Sequence, residues 1–356
     1  IVITGINLMS DGTTKYTRTQ VVNEVLADYV RLDHDNFTVD RLSGSGSYLV
    51  TYDNMFLTFD DSTFNNIVIA ARKSGAEVLY GMTANENVAD DLAIIPDTTT
   101  NAIGAQEGTI FTVNSADGTV YTVNGSGKGG ITVGTGKTFN LLNTVFTNFT
   151  TAIINDNETN LTNVRLENNT TADIANSGTV NFYGTDTVKT ITGLGTVNIG
   201  SATTTADVTF TQGGTVTQNA LNVLAGSKLT TYGDSLNVST VTGVSNAGTV
   251  ELLGGNLGSN ISGATGRVDV TGEVTNNLDK TITQAIVNIS SGASLTTKAD
   301  KVTVAGTTGI SNAGTLNLYA GTLASNISGV GTTNIKDDVS SDKTIAQSEL
   351  TTDARS

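Results

Sequence analysis

The stretch that decides the fold is Val244-Ser245-Asn246-Ala247-Gly248-Thr249-Val250, because the chain carries it three times. The other copies are Ile174-Ala175-Asn176-Ser177-Gly178-Thr179-Val180 and Ile310-Ser311-Asn312-Ala313-Gly314-Thr315-Leu316, so successive copies lie 70 and then 66 residues apart. Two further landmarks recur at the same 66. Ser259-Asn260-Ile261-Ser262-Gly263 matches Ser325-Asn326-Ile327-Ser328-Gly329, and Leu229-Thr230-Thr231 matches Leu295-Thr296-Thr297. Three landmarks in one order at one offset mark an internal repeat, the signature of a stacked architecture.

Inside each long repeat a smaller unit recurs: apolar, polar, apolar. Examples are Val180-Asn181-Phe182, Val197-Asn198-Ile199, Leu221-Asn222-Val223, Val250-Glu251-Leu252, Val268-Asp269-Val270, Val287-Asn288-Ile289 and Leu316-Asn317-Leu318. A period of two turns the flanking apolar residues inward and the central polar one outward. The connections are too short for crossover helices. Strands of this kind are satisfied by a coil whose strands stack in parallel on the previous coil. A lone coil buries too little to fold, so each depends on its neighbours. The sequence therefore predicts a mostly β protein with a right-handed parallel β-helix, or β-solenoid, over 107–356. Sixty-six residues divide into three coils of 22 or four of about 16, and the unequal spacing of the triplets favours three. Asp117-Gly118 and Asn124-Gly125 are candidate hairpin turns near 110–125.

Composition agrees. In 356 residues, charged side chains make up 14%, where a quarter is usual, with 39 Gly and one Pro, Pro96. Such a chain is rich in β-branched residues and turn formers. No apolar run approaches the ~20 residues of a membrane-spanning helix. The chain has no Cys, which excludes disulfides, thiolate metal sites and Cys nucleophiles. A formal charge of −15 and no basic stripe argue against nucleic acid and anionic membrane as partners. With no initiator Met and no signal peptide, Ile1 reads as the start of a mature or trimmed chain.

The first 95 residues differ in texture, and all three Met and the single His lie there. Thr17–Arg31 has Val21, Val22, Val25, Leu26 and Tyr29 at helical spacing. Ser62 can cap a second helix through Lys73, with Phe64, Ile67, Val68 and Ala71 inward and Gly75 as its stop. Strand-like runs lie at Phe37–Leu42 and Met55–Phe59. These features predict a small α+β domain over 1–95 that caps or docks on the solenoid, followed by a linker over 96–106. No cap follows Ala346, so the chain is expected to continue or dock there.

Phrases such as Asn140-Leu141-Leu142-Asn143-Thr144-Val145-Phe146-Thr147-Asn148, followed by Ile174-Ala175-Asn176-Ser177-Gly178-Thr179-Val180-Asn181-Phe182, resemble the passenger domains of bacterial autotransporter adhesins. The resemblance is one of repeat texture and covers about 107–345. It implies a right-handed β-helix, export to the cell surface, and adhesion or aggregation as the role.

Motifs that carry chemistry are thin. Gly125-Ser126-Gly127-Lys128-Gly129-Gly130 fits a dinucleotide fingerprint, and Gly134-Thr135-Gly136-Lys137-Thr138 resembles the tail of a phosphate loop. The second lacks its first Gly, since position 131 is Ile131, and in both cases strand-like sequence follows where a helix must receive the phosphate. Both read as turns. His34, in Asp33-His34-Asp35-Asn36, has no Cys or second His to join it as a metal ligand and reads as a solvated loop. Asp33, Asp35 and Asp40 lack the Gly and terminal Glu of a calcium loop, and Asp60-Asp61, Asp90-Asp91 and Asp337-Asp338 read as exposed charge. Parallel β-helices include polysaccharide lyases and hydrolases, but those need clustered acids or bases in a groove. Between 107 and 345 there is no His, and Arg occurs only at Arg165 and Arg267. Sequons such as Asn148, Asn160, Asn260 and Asn326 follow from the abundance of Asn and Thr.

The expectation is thus a non-enzymatic extracellular or bacterial cell-surface protein. It is structural or adhesive and presents a polar Asn/Thr-rich solenoid; the alternative is a self-assembling subunit of an extracellular filament or surface layer. No catalytic, cofactor-binding or metal residue is assigned and no cofactor is expected. Expected partners are other copies of the chain or other surface components, with contacts end to end through 1–95 and the C-terminal coil. Nucleic acid and insertion of this chain into a membrane are not expected.

Overall fold

The computed structural model describes residues 130–353 with their side chains, apart from 137, 240–242 and 278; before 130 it describes only the strands. The described chain is almost entirely strand and turn, and its parallel stacked coils form a β-solenoid. The chain divides into two units, Ile1–Asn181 and Phe182–Ser356.

In the first unit each coil contributes three short strands, and each stacks on its counterpart one coil away. Thr138–Leu142 pairs with Glu158–Thr162, Thr144–Thr147 with Arg165–Glu167, and Thr151–Asn155 with Ala172–Asn176, all in parallel. Alternation decides what fills the interior: Phe139, Leu141, Phe146, Ile153, Leu161 and Leu166 are fully buried. Phe146 stacks on Phe149 with ring centroids 5.3 Å apart. The corners of these coils carry asparagine in the left-handed region: Asn143, Asn148, Asn163 and Asn168 have φ of 50°, 59°, 56° and 56°. Asparagine tolerates that conformation better than other side chains.

Earlier strands also stack in parallel at a similar step. Tyr29–Arg31 pairs with Tyr48–Thr51, which pairs with Val68–Ala71; Phe37–Asp40 pairs with Phe56–Asp60, which pairs with Glu77–Thr83. The two helices expected from spacing are not what the described residues show. Strands Lys15–Val21 and Tyr29–Arg31 lie in the first segment, and Thr63–Asn65 and Val68–Ala71 in the second. Short apolar runs fit either period, and β-branched Val and Ile fit the strand better once a neighbouring strand is there to pair. The expected linker, 96–106, lies outside the described residues. The hairpin expected near 110–125 is replaced by parallel stacking: Ile110–Ser115 pairs with Thr138–Leu142, and Tyr121–Asn124 with Thr144–Thr147.

In the second unit the strands form three stacks. Leu229, Val250, Val268 and Val287 succeed one another in the first. Val244, Ile261, Ile282 and Val302 do so in the second. Val274, Leu295 and Leu316 lie in the third. The chain visits the three in fixed order. Leu229 and Leu295, aligned by the sequence repeat, therefore lie in different stacks. Ten strand-to-strand steps lead from one to the other, which is three and a third coils of about 20 residues. The expected division into three coils of 22 is thus corrected. All three stacks accept the same apolar-polar-apolar triplet, so nothing in backbone pairing requires a repeat to close on whole coils. Individual steps range from 17 residues, Val244 to Ile261, to 25, Ile191 to Val216.

The repeat is nevertheless faithful in its bonds. Gly233–Ser235 and Ala299–Lys301 form matching 3-10 turns. Ser259 and Ser325 accept the N–H groups of Val238 and Val304 on their Oγ atoms, at 2.8 and 2.7 Å. Asn246 and Asn312, from the thrice-repeated motif, are buried at corners and make the same three hydrogen bonds. Each Oδ1 accepts the N–H two residues on, from Gly248 and Gly314, both at 3.1 Å. Each Nδ2 donates to a carbonyl of the next coil, Arg267 at 2.8 Å and Thr332 at 2.9 Å. It donates also to a glutamine two coils on, Gln284 or Gln347, at 2.7 Å. The intervening coil offers Gly263 or Gly329, whose missing side chains let the glutamine reach across. In the first unit Asn155 donates to the Oδ1 of Asn176 at 2.8 Å and to the Thr179 carbonyl at 2.9 Å. The motif glycine is fixed by close approach: a Cβ on Gly248 would lie 2.3 Å from the Ser227 carbonyl oxygen, and one on Gly314 2.3 Å from that of Ala293.

Ile261 is fully buried, and the Oδ1 of neighbouring Asn260 accepts the Thr281 N–H at 2.9 Å. Ile261→Asp should destabilise by several kcal/mol through an unpaired buried charge, whereas Asn260→Asp keeps the acceptor and should be nearly neutral. Thermal unfolding of the two variants checks this, and equal shifts would overturn the inward and outward assignment.

Candidate functional site

With the apolar side chains inside, what the solenoid offers a partner is its outer polar rows. One row in the second unit is a continuous hydrogen-bonded file. Asn317 Nδ2 donates to Thr296 Oγ1 at 3.0 Å, Asn334 Nδ2 to Asn317 Oδ1 at 2.8 Å, and Thr351 Oγ1 to Asn334 Oδ1. Beside it run Ser294, Thr315, Thr332 and Glu349, paired in the same register, with Thr332 Oγ1 donating to Glu349 at 3.1 Å. In the first unit Asn181 donates to Asn160 and Asn160 to Asn140, both at 2.9 Å. Asn222 likewise donates to Asn198 at 2.8 Å. Because identical polar groups stack one coil apart, each amide finds its partner in the next coil. Within these rows the side chains bond one another from coil to coil.

Charge is concentrated on another row. Asp207 pairs in register with Lys228, Thr230 with Glu251, and Glu251 with Asp269. Lys228 Nζ lies 2.7 Å from Glu251 Oε2, and Arg267 Nε 2.6 Å from Asp269 Oδ1. The hydrogen bond from Lys228 holds the Glu251 carboxyl below its usual range, and the same bond raises the Lys228 ammonium. Among the described residues no group of three His, Asp or Glu is placed to hold a metal ion, and no helix is long and apolar enough to cross a membrane.

Residues weighed from the sequence fall as follows. Gly134 and Gly136 lie in the turn between strands Ile131–Val133 and Thr138–Leu142, so no helix start faces that turn. Of the other glycine motif only Gly130 is described; it is buried, and a Cβ there would lie 1.9 Å from the Ala152 carbonyl oxygen. Asp337 and Asp338 are exposed. The side chains of Asp33, His34, Asp35, Asp40, Asp60, Asp61, Asp90 and Asp91 lie outside the described residues. Of the sequons, Asn148 and Asn326 are exposed, while Asn160 sits within an asparagine file.

Sequence reading missed one recurring surface element. Ile191-Thr192-Gly193-Leu194-Gly195-Thr196-Val197-Asn198-Ile199 recurs as Ile327-Ser328-Gly329-Val330-Gly331-Thr332-Thr333-Asn334-Ile335. A looser copy is Ile261-Ser262-Gly263-Ala264-Thr265-Gly266. Leu194 and Val330 are 67% and 76% exposed, and Ala264 is exposed. An apolar residue between two glycines at one repeat position was the available signal.

No protein-family description, no curated protein and no solved structure matches this chain.

The Lys228–Glu251 pair gives a pH signature. Glu251 has a lowered folded pKa, so its contribution is present above its unfolded value near 4.5 and lost as pH falls through the folded value. Lys228 has a raised folded pKa, so its contribution is present below about 10.5 and lost as pH rises through the folded value. Glu251→Gln should therefore lower stability by about 1 kcal/mol or less between those limits. The deficit should shrink at both extremes, as read by denaturant unfolding across pH.

Proposed function

We propose that this chain is an extracellular structural or adhesive surface protein whose β-solenoid presents polar, Asn/Thr-rich faces. The observation that carries this reading is the outer file Thr296–Asn317–Asn334–Thr351, four side chains bonded coil to coil on an open face. Such a face meets a partner with its donors and acceptors already fixed in position, so little side-chain entropy is lost on contact. The resemblance in repeat texture to autotransporter passenger domains supports the same role and a bacterial cell-surface location. In this reading the protein is not an enzyme.

A second reading is a self-assembling subunit of an extracellular filament or surface layer. It is favoured by the apolar residues held exposed at repeated corners, Leu194 and Val330. Contacts end to end, through the N-terminal segment and the C-terminal coil, belong to this reading as well.

Adhesion of protein-coated beads to glycan-coated and protein-coated surfaces tests the first reading. Wild-type beads should attach saturably, and Asn317→Asp with Asn334→Asp should lower attachment at least fivefold with the β circular dichroism retained. Regular polymers by electron microscopy, together with no attachment to any surface, would favour the second reading instead.

A further inference from the structure

A stack of coils is ordinarily held by contacts between nearest neighbours, so that coils can open one at a time. Two glutamines in the second unit depart from that rule. Val244-Ser245-Asn246, Ile261-Ser262-Gly263 and Ile282-Thr283-Gln284 occupy three successive rungs of one stack. Ile310-Ser311-Asn312, Ile327-Ser328-Gly329 and Ile345-Ala346-Gln347 occupy three successive rungs of another. Both sets end their rungs in the order Asn, Gly, Gln. The sequence holds the set once more, as Ile174-Ala175-Asn176, Ile191-Thr192-Gly193 and Val216-Thr217-Gln218.

Each glutamine is held at both ends of its amide. Gln284 Nε2 donates to the Thr283 carbonyl at 2.9 Å, and Gln284 Oε1 accepts from Asn246 Nδ2, two coils away, at 2.7 Å. The same Thr283 carbonyl accepts the Gly263 N–H of the middle coil at 2.9 Å. The second set repeats the arrangement: Gln347 Nε2 donates to the Ala346 carbonyl at 3.2 Å, Gln347 Oε1 accepts from Asn312 Nδ2 at 2.7 Å, and the Ala346 carbonyl accepts the Gly329 N–H at 3.1 Å. Gln218 Nε2 likewise donates to the Thr217 carbonyl, at 2.6 Å. The middle coil contributes no side chain at this corner. A Cβ on Gly263 would lie 1.9 Å from the Asn246 carbonyl oxygen and 3.2 Å from Gln284 Nε2, and one on Gly266 would lie 2.4 Å from Gln284 Oε1. The middle coil is thus enclosed between the Asn246 backbone on one side and the Gln284 amide on the other. Asn246 and Gln284 are both buried, so their bond cannot pass to water while the stack is closed.

We propose that Gln284 and Gln347 are clasps, each tying three successive coils into one block that opens together. The Asn–Gln bond bypasses the middle coil, so that coil cannot leave the stack until the bond is broken. The coil that carries the glutamine cannot open without withdrawing a partner from the coil two steps before it. Contacts between nearest neighbours alone would let each of the three open locally at its own cost; the clasp makes local opening carry the cost of all three. The inference concerns how the stack resists opening and stands apart from either reading of the protein's role.

Amide hydrogen exchange of the full chain, read peptide by peptide by mass spectrometry, tests the clasps with Gln284→Leu and Gln347→Leu. Leucine occupies the corner but makes neither bond. Gln284→Leu should speed exchange about fivefold or more, from a lost hydrogen bond that leaves a buried donor short of a partner. The faster exchange should extend over 244–248 and 261–266 as well as 282–284, while 196–199 exchanges as in wild type. Gln347→Leu should do the same over 310–314 and 327–331. Gln347 is half-buried, so this second variant leaves the apolar interior intact and decides the matter even if Gln284→Leu fails to fold. Wild-type exchange in the coil of Asn246 or Asn312, with any change confined to the coils nearer the substitution, would overturn the clasp and leave the glutamines as fillers of their own corners.

Discussion

Everything in this solenoid depends on each coil meeting the next in register, and the corner asparagine is where that condition is met. A parallel stack satisfies backbone groups along its strands, but a corner must turn the chain without leaving buried donors and acceptors unpaired. Asn246 and Asn312 solve this within one side chain, accepting from their own turn and donating both to the next coil and to the one beyond. The glycine two residues on lets the backbone approach the coil below. An aspartate would lack the donor, and a larger residue after it would lack the space. The motif that marks the repeat is a device for turning corners.

With the corners fixed, the rest follows from alternation. Inward positions take Val, Ile, Leu and Phe, and outward positions take residues that bond their copies one coil away. The outer rows are therefore not a solvated scatter of polar groups but ordered files, and charge enters them sparingly. Where it does, as at Lys228 and Glu251, opposite signs occupy neighbouring rungs. Glu251 also stacks in register on Asp269, and the cations Lys228 and Arg267 beside them offset that like-charge contact.

The mismatch between a repeat of 66 residues and a coil of about 20 shapes what a partner meets. A repeat closing on whole coils would line every copy of a surface feature along one edge. Here each copy moves one edge further round, so Leu194, Ala264 and Val330 face different directions although the sequence presents them as equivalents.

The sequence by itself determined the class of fold. The triplets Val250-Glu251-Leu252 and Leu316-Asn317-Leu318 declared a period of two, the recurring landmarks declared a stack, and Ile261 could be placed inward before any coordinates. These are local properties, written in the order of side chains along a strand. The sequence did not determine how many coils a repeat spans, because the same triplet suits all three stacks and only pairing reveals which stack receives it. Nor did it separate helix from strand around Thr17–Arg31, where a short apolar run satisfies both periods and a neighbouring strand decides. The bond from Asn246 to Gln284 spans 38 residues and two coils, and the directions in which Leu194 and Val330 point depend on all the strands stacked between them. Only the tertiary structure could decide these, since they arise from which segments are stacked on which.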